Sequence, residues 1–351
     1  MKKYDYIIIG QGIAGSWLAR SLLKMGKSVL VVDKNVPVSS SGISAGIINP
    51  VTGKNFVKTW KATELLSYAR MAYEQFEKEA GIRVFRELQI YRLFKNEAHR
   101  AQWLAKYDIE ELGEFVINKD LSLYNTQLYN PHGGFLMKGA VLSTNLFLEY
   151  LRNEWREKGI LTETNFEYKE LKTEEPEIQW RDILASKVVF AEGWHALKNP
   201  YFSWLPFNAV KGELLTIKAP KLRIEMLVNR GIFLLPLGED IYRVGATYTW
   251  DQLDAVPSAQ ARTYLEQEIG KLIQTPFQIL DHQAGVRPAT HDRRPFLGRH
   301  PIHRNMFIFN GMGTKGISLA PYFAHQMADY LERDQGLDPE ADIQRFRQLC
   351  K

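Results

Sequence analysis

The chain has 351 residues, 45% hydrophobic and 24% charged, with a formal net charge of +5 and one cysteine. That length supports two domains with sizeable cores, and the composition excludes disordered and fibrous classes. The lone Cys350 excludes an internal disulfide and a thiolate metal cluster, and no metal site is expected. The modest basic excess fits a patch near an anionic substrate, a membrane surface or RNA, with a solvated surface the favoured reading.

Residues 6–9 are apolar and Ile-rich, as a strand buried on both faces should be. Gly10, Gly12 and Gly15 follow with G-x-G-x-x-G spacing. Residues 16–25 predict a helix with Leu18, Ala19, Leu22 and Leu23 on one face, closed by Gly26 at positive φ. A second apolar strand, 29–32, ends at Asp33, with Lys34 next. This order of strand, glycine turn, helix, strand and acid is that of a Rossmann-like dinucleotide site. Gly10 permits the tight turn, Gly12 a close approach of backbone to the pyrophosphate, and Gly15 close packing of helix on strand. Ile13 and Ala14 lie in the same turn, whose helix N-terminus favours phosphate. Asp33 is placed to accept from both ribose hydroxyls and disfavours a 2′-phosphate. The turn does not by itself distinguish FAD from NAD.

The next stretch, 35–56, is a long loop rich in Ser and Gly with Pro37 and Pro50. Ser40, Ser41, Ser44, Ala45 and Gly46 are small enough to let backbone meet a flat ligand, and the hydroxyls of Ser40 and Ser41 suit phosphate oxygens. Residues 60–80 predict an amphipathic helix with Leu65, Leu66, Ala69, Ala72, Tyr73 and Phe76 inward, ended by Gly81. Lys54, Lys58 and Lys61 form a basic cluster beside it. From 82 to 139 short apolar runs alternate with turns. Ser143 or Thr144 caps a helix carrying Leu146, Phe147, Tyr150, Leu151 and Trp155 and ending at Gly159.

Short strands follow to a buried run at 188–191, and Gly193 then marks a second approach to the nucleotide; Leu171, Ala191, Gly193 and Trp194 are candidates there. Residues 233–235 and 242–244 flank Gly238-Glu239-Asp240, a hairpin signal. A helix at 259–273, a strand at 306–309, the loop NGMGTKG and a helix to about Leu331 complete the chain. No internal repeat is evident. The motif begins close to Met1 and no apolar run is long enough to span a bilayer, which predicts a cytoplasmic protein.

Four segments, IIIGQGIAG, SSGISAGIINP, AGVRPATHDRRPFLGRHP and FNGMGTKGISLAP, together resemble the D-amino-acid oxidase and glycine oxidase family of FAD-dependent oxidoreductases. The resemblance spans nearly the whole chain. It implies an α/β (α+β overall) fold in which a Rossmann-like FAD-binding domain (1–81, 140–200 and 281–351) is interleaved with an antiparallel-sheet substrate domain (82–139 and 201–280). It also implies FAD rather than NAD, and oxidation of a C–N bond by hydride transfer to flavin N5. Arg287 matches the family arginine that holds a substrate carboxylate, and its planar fork suits that task; the alternative is a structural pair with an acid such as Asp292. Lys315 resembles a loop lysine of the sarcosine oxidases. Gly311, Gly313, Thr314, Lys315, Gly316 and Ile317 would lie along the flavin, with backbone N–H groups of 311–316 facing its C2 carbonyl.

The chain departs from glycine oxidase where Phe233 stands at a tyrosine position and Tyr248 at a methionine position. The cysteine that carries covalent flavin in sarcosine oxidases has no counterpart, so noncovalent FAD is implied. His195, His282 and His291 read as surface or packing residues. The leading reading is an amine or amino-acid oxidase or dehydrogenase with a small-molecule substrate. The loop GIINPVTGK also resembles the oxidase domain of the bifunctional enzyme that modifies the wobble uridine of tRNA, although Glu74, Glu77 and Glu79 interrupt the basic cluster a tRNA reader needs. A flavin-binding scaffold without turnover is the third reading, and Arg287 with the complete flavin loop argues against it.

Overall fold

The computed structural model describes residues 1–35, 39–53, 55–109, 111–173 and 177–350, so Pro37 and Lys54 lie outside the described residues. The chain divides into two units: Met1–Ser44, Thr144–Val210 and Val286–Lys351 form the first, Ala45–Ser143 and Lys211–Gly285 the second.

The first unit is built on β1 (Lys2–Ile9), α1 (Ile13–Lys24) and β2 (Val29–Asp33). β1 pairs in parallel with β2, Tyr6 opposite Val29 and Ile9 opposite Val32. On its other side β1 runs parallel to Ile183–Phe190, which in turn runs parallel to Met306–Asn310. Leu161–Glu163 extends the sheet beyond β2, with Asp33 beside Glu163. Parallel strands need crossovers and cover on both faces, and Ile7 to Ile9 and Val29 to Val32 are accordingly buried throughout. α1 buries Trp17, Leu18, Ala19 and Leu22 and packs against Gly316–Arg333. Leu23 is half-buried, and Gly26 has φ +76 just beyond the helix end.

The helix Thr144–Glu157 buries Phe147, Leu148, Leu151 and Trp155. Leu146, expected inward, is exposed and Tyr150 is half-buried. With Phe147, Leu151 and Trp155 on one 3.6-residue stripe, Leu148 completes the inward face and Leu146 falls off it.

The second unit carries a nine-stranded sheet. Its order is Gln278–Arg287, Val210–Lys218, Ile241–Gly245, Ile232–Gly238, Leu227–Arg230, Phe85–Leu93, Gly134–Leu142 and Ile47–Ile48, with Val116–Leu121 also on Gly134–Leu142. Leu227–Arg230 runs parallel to Phe85–Leu93, whereas the hairpin Ile232–Gly238 with Ile241–Gly245 is antiparallel. Glu239 and Asp240 at its turn have φ +50 and +63, the positive pair that two-residue hairpins favour. Strands from both sides of the first unit's middle segment thus share one sheet.

All four boundaries differ from the sequence reading, and residues 281–285, expected with the nucleotide part, group with the second unit. Residues 45–81, expected with the nucleotide part, group with the second unit because Ile47–Ile48 pairs with Gly134–Leu142 and Tyr73 of the helix Ala62–Ala80 stacks on Phe85. Residues 201–210 group with the first unit, where Phe202 and Leu205 enter its core. The strand Gly134–Leu142 also runs through the expected break at 139/140. The helix begins at Ala62, after Lys61 at φ +48, with Leu65, Ala69, Tyr73 and Phe76 buried and Leu66 and Ala72 half-buried.

Candidate active site

The first glycine turn is shaped by backbone contacts. Gly10 has φ +105, and a Cβ there would lie 2.5 Å from the Ala191 carbonyl oxygen. A Cβ on Gly15 would lie 1.9 Å from the Gly10 carbonyl oxygen. Neither position admits a side chain. Gly12 differs, since its Cβ would meet only Ser41 Oγ, at 3.3 Å. Gly12 is the N-cap of α1 and offers no side-chain cap, so Ser41 supplies one, accepting from the Ile13 N–H at 3.1 Å. Ser40 Oγ donates to the Val286 carbonyl. The two hydroxyls proposed for phosphate oxygens therefore already have partners within the unit. Gln11 Oε1 and Ser16 Oγ are buried in this turn with no hydrogen-bond partner among the described residues.

At the end of β2 the Asp33 carboxylate accepts from Gln11 N and Asn35 N, both at 2.8 Å, and from Arg152 Nη2 at 2.6 Å. Sequence reasoning missed Arg152, because nothing in the helix pattern of 144–157 ties it to a strand end far away. Lys34 Nζ lies 3.3 Å from His195 Nε2. Burial, then the neighbouring Lys34, pushes His195 below its ordinary value.

The second turn follows Phe190. Ala191 N donates to Ile9 O, and Gly193 has φ +60. Between them the Glu192 carboxylate accepts from Tyr168 Oη at 2.5 Å and from Asn199 Nδ2 at 2.7 Å; burial pushes its carboxyl up to about 7. Asn310, buried, donates to Gly193 O at 2.9 Å and accepts from Gly311 N at 2.8 Å, joining this turn to the C-terminal loop. Asn310 lies within the motif FNGMGTKGISLAP, and nothing in that spacing signals this joining role. In that loop Gly313 N donates to Pro288 O and Lys315 N to Met312 O. With Gly311 N on Asn310, three of the loop N–H groups, expected to be all of 311–316 facing the flavin, are thus engaged within the protein. A Cβ on Gly316 would lie 3.0 Å from Ile13 Cγ2, so the N-termini of α1 and of Gly316–Arg333 are neighbours. Burial pushes the Lys315 ammonium down to about 8, with Arg293 and Arg294 adding to the effect.

Arg287 is half-buried, next to Pro288, in the same unit. Asp292, the acid considered as its structural partner, accepts instead from Arg345 Nε at 3.0 Å and from Arg294 N. Leu171 is a core residue, packed with Ile178 and Trp180, so only its backbone is available to a ligand. His291 is exposed.

Three site candidates, Ala45, Gly46 and Tyr248, belong to the second unit. Gly46 has φ +74, and a Cβ there would lie 2.0 Å from the Leu142 carbonyl oxygen; its small size serves the strand beside it rather than a flat ligand. Tyr248 and Trp250 lie on a strand-like continuation of Ile241–Gly245, in which Lys211 and Thr249 exchange backbone hydrogen bonds. Both rings are more than half exposed, with centroids 6.2 Å apart. The same segment is pinned by buried charge. Lys211 Nζ lies 2.6 Å from Asp254 and 3.6 Å from Glu213, Glu213 accepts from Ser258 N and Oγ at 2.8 Å, and His282 Nε2 stands 2.9 Å from Glu213 Oε2. His282 is thus part of a buried polar group and not a surface residue.

The family model for FAD dependent oxidoreductases (DAO) matches residues 5–330. The chain belongs to the DAO family of FAD-dependent oxidoreductases. Over 96% of its length this oxidoreductase is 24% identical to the tRNA 5-methylaminomethyl-2-thiouridine biosynthesis bifunctional protein MnmC of Legionella pneumophila (strain Lens), covering 56% of that protein. The chain therefore spans about half the length of the bifunctional relatives it matches. Over 96% of both chains it is 23% identical to the glycine oxidase of Pseudomonas putida. Among solved structures, glycine oxidase from Geobacillus kaustophilus shares the fold with a TM-score of 0.79 at 21% identity, covering 99% of this chain and 98% of that one. L-proline dehydrogenase from P. horikoshii does so with a TM-score of 0.79 at 17% identity, with the same coverage. The mixed α/β fold, the FAD dependence and the oxidoreductase class read from sequence are those of the family. Among the described residues, no helix is long and apolar enough to cross a membrane, and no group of His, Cys, Asp and Glu could hold a metal.

Proposed function

We propose that this oxidoreductase oxidises a C–N bond of an amine or small amino acid, with FAD held noncovalently by the first unit. One observation carries the reading: the Gly10–Gly15 turn and the Gly311–Gly316 loop meet at two neighbouring helix N-termini, Gly316 against Ile13. Two positive dipole ends and their N–H groups side by side suit a ligand with a pyrophosphate and an electron-rich ring.

The residues present fit FAD. Gly12 is the glycine of the turn whose side-chain space is free of backbone, so its role is to admit a ligand. Gly10, Ile13, Ala14, Gly15, Ser41 and Ser44 surround the same phosphate position, Asp33 and Lys34 the ribose, and Ala191, Gly193 and Trp194 the second approach. Buried Gln11 Oε1 and Ser16 Oγ supply polar atoms still open to a partner. When bound, FAD supplies a two-electron acceptor at flavin N5. N–H groups of Met312, Thr314 and Gly316 would hold developing negative charge on the ring. Arg287 would hold a substrate carboxylate through its planar fork. Lys315 Nζ, titrating at about 8, carries a charge for an anionic substrate below that pH and releases its proton above it.

The bifunctional relatives support a second substrate class, an aminomethyl-uridine substituent of tRNA. The small-molecule class is favoured because Lys58, of the expected basic cluster, is already paired with Glu114 at 2.7 Å. The test is spectroscopic. Purified protein should be yellow and release FAD on denaturation. Under anaerobic conditions, bleaching by an amine or amino acid supports the first class, and bleaching by tRNA alone the second. A colourless protein that binds NAD overturns both.

A further inference from the structure

The sequence places two carboxylates on neighbouring strands, and the fold sets them side by side: Asp33 and Glu163 are register partners in the parallel pair of β2 with Leu161–Glu163. Adjacent like charges repel unless a cation lies between them. Arg152 is that cation. Its Nη2 donates to Asp33 Oδ1 at 2.6 Å and its Nη1 to Glu163 Oε1 at 2.7 Å, so one planar fork spans both acids. Arg156 closes on the far side of Glu163, with Nε and Nη2 at 3.1 and 3.0 Å from Oε2. The Arg152 and Asp33 side chains are only 15% and 17% exposed.

A carboxylate offers about four lone-pair positions. On Asp33, Oδ1 takes Asn35 N and Arg152 Nη2, and Oδ2 takes Gln11 N. Among the described residues, one position remains, on Oδ2. Asp33 can therefore take one further donor at full strength, not the two that its place after β2 suggests. The Cβ–carboxylate torsion is intrinsically broad, and without Arg152 the carboxylate keeps Asn35 N on Oδ1 and Gln11 N on Oδ2 but loses the charged donor that narrows its orientation further.

We infer that Arg152 is a positioning residue for the cofactor: it fixes the Asp33 carboxylate so that the remaining lone pair of Oδ2 faces a single ribose hydroxyl, and it neutralises the Asp33–Glu163 pair that would otherwise oppose a nucleotide carrying phosphates. Arg152 acts through Asp33 and does not touch the nucleotide. The inference rests on the FAD reading above, and the two fail differently: wild-type protein that binds no FAD fails that reading, whereas the cycle below fails this one.

The experiment uses flavin-depleted full-length protein titrated with FAD and with ADP, in wild type, Arg152→Met, Asp33→Asn and the double variant. Removing one partner of a largely buried, hydrogen-bonded charge pair should weaken both ligands by about tenfold to a hundredfold. ADP lacks the flavin, so an equal loss for both ligands places the effect at the adenosine end. The double variant should bind no more weakly than Asp33→Asn alone, the signature of a residue that acts through Asp33. Fully additive losses, or an Arg152→Met variant with unchanged affinity, overturn the inference. If Arg152→Met does not fold, Glu163→Gln reads the same device: with the acid pair relieved, FAD affinity should hold or rise, and a hundredfold loss overturns the proposal. Arg152→Lys keeps the charge without the fork and should recover folding but less than half of the logarithmic loss in affinity.

Discussion

The glycine turns of the first unit and the strand end that carries Tyr248 and Trp250 in the second both hold candidate site residues, and they are held by opposite means. In the first unit backbone fixes backbone. Gly10 and Gly15 are glycines because carbonyl oxygens of Ala191 and Gly10 occupy the space a Cβ would need. In the second unit side chains fix backbone: buried Lys211 and Glu213, with His282 beside Glu213, hold Asp254 and Ser258 of the segment 246–258. A backbone cradle tolerates little substitution and has little to titrate. A polar pin can be weakened by one charge change, and it needs every partner satisfied.

The most drastic way to test that contrast is Gly15→Val. The Gly10 carbonyl lies 1.9 Å from the required Cβ, and the cost should be about 3 kcal/mol or more, at the upper end of overpacking effects. Little folded protein is expected by circular dichroism. Gly12→Val should instead fold with a near-native thermal midpoint and lose FAD, since only the mobile end of Ser41 is in its way. Equal damage from both would mean that Gly12 is as structural as Gly15.

Next in size is Lys211→Met. It removes the buried ammonium that lies 2.6 Å from Asp254 and 3.6 Å from buried Glu213, and breaking such a buried pair costs about 3 kcal/mol. Urea unfolding should show the loss while FAD content stays at the wild-type level. Flavin loss in proportion to the stability loss would show that the two units do not keep separate accounts of these groups.

Arg287→Ala follows, at about 1.5–3 kcal/mol, the range for a hydrogen bond to a charged group. Once a substrate is found, kcat/KM should fall roughly 10- to 150-fold, since about 1.4 kcal/mol is a factor of ten. Flavin content should not change; if it falls, Arg287 is structural. Lys315→Met tests the second cation. Wild-type KM for an anionic substrate should rise as pH passes about 8, where Lys315 loses its charge, and a flat profile in Lys315→Met assigns that rise.

A pH-dependent effect concerns Glu192. Its native carboxyl titrates at about 7 against an ordinary 4.5, so the folded state binds the proton more tightly than the unfolded chain. Its contribution is fully present below about 4.5 and is lost as pH rises through about 7. Glu192→Gln should flatten that slope in urea midpoints measured between those values, and an unchanged slope would move the effect to another group.

Local order is where the sequence reading was strongest. β1, α1, β2 and the hairpin at Glu239-Asp240 follow from apolar runs and glycine spacing, because each depends on neighbours a few residues away. The family motifs extended that to the C-terminal loop and to FAD. The cofactor-end network was only half readable. Asp33 announces itself at the end of a strand, whereas its partner Arg152 sits among the polar residues of an amphipathic helix, where most arginines are solvated.

What spacing settled, then, was the glycine turn with its flanking strands and helix, since steric limits on backbone act locally and leave a signature in residue type; the class of the whole fold came from the family resemblance. What required the folded chain was pairing across long separations. Gly46 reads as room for a ligand in the sequence, whereas the fold fills that space with Leu142. Residues 45–81 belong with the second unit because Ile47–Ile48 pairs with Gly134–Leu142. Lys211, Glu213 and His282 share no local pattern, and only the sheet register brings them together, because a buried charge such as Lys211 or Glu213 is stable only where the fold supplies its partner.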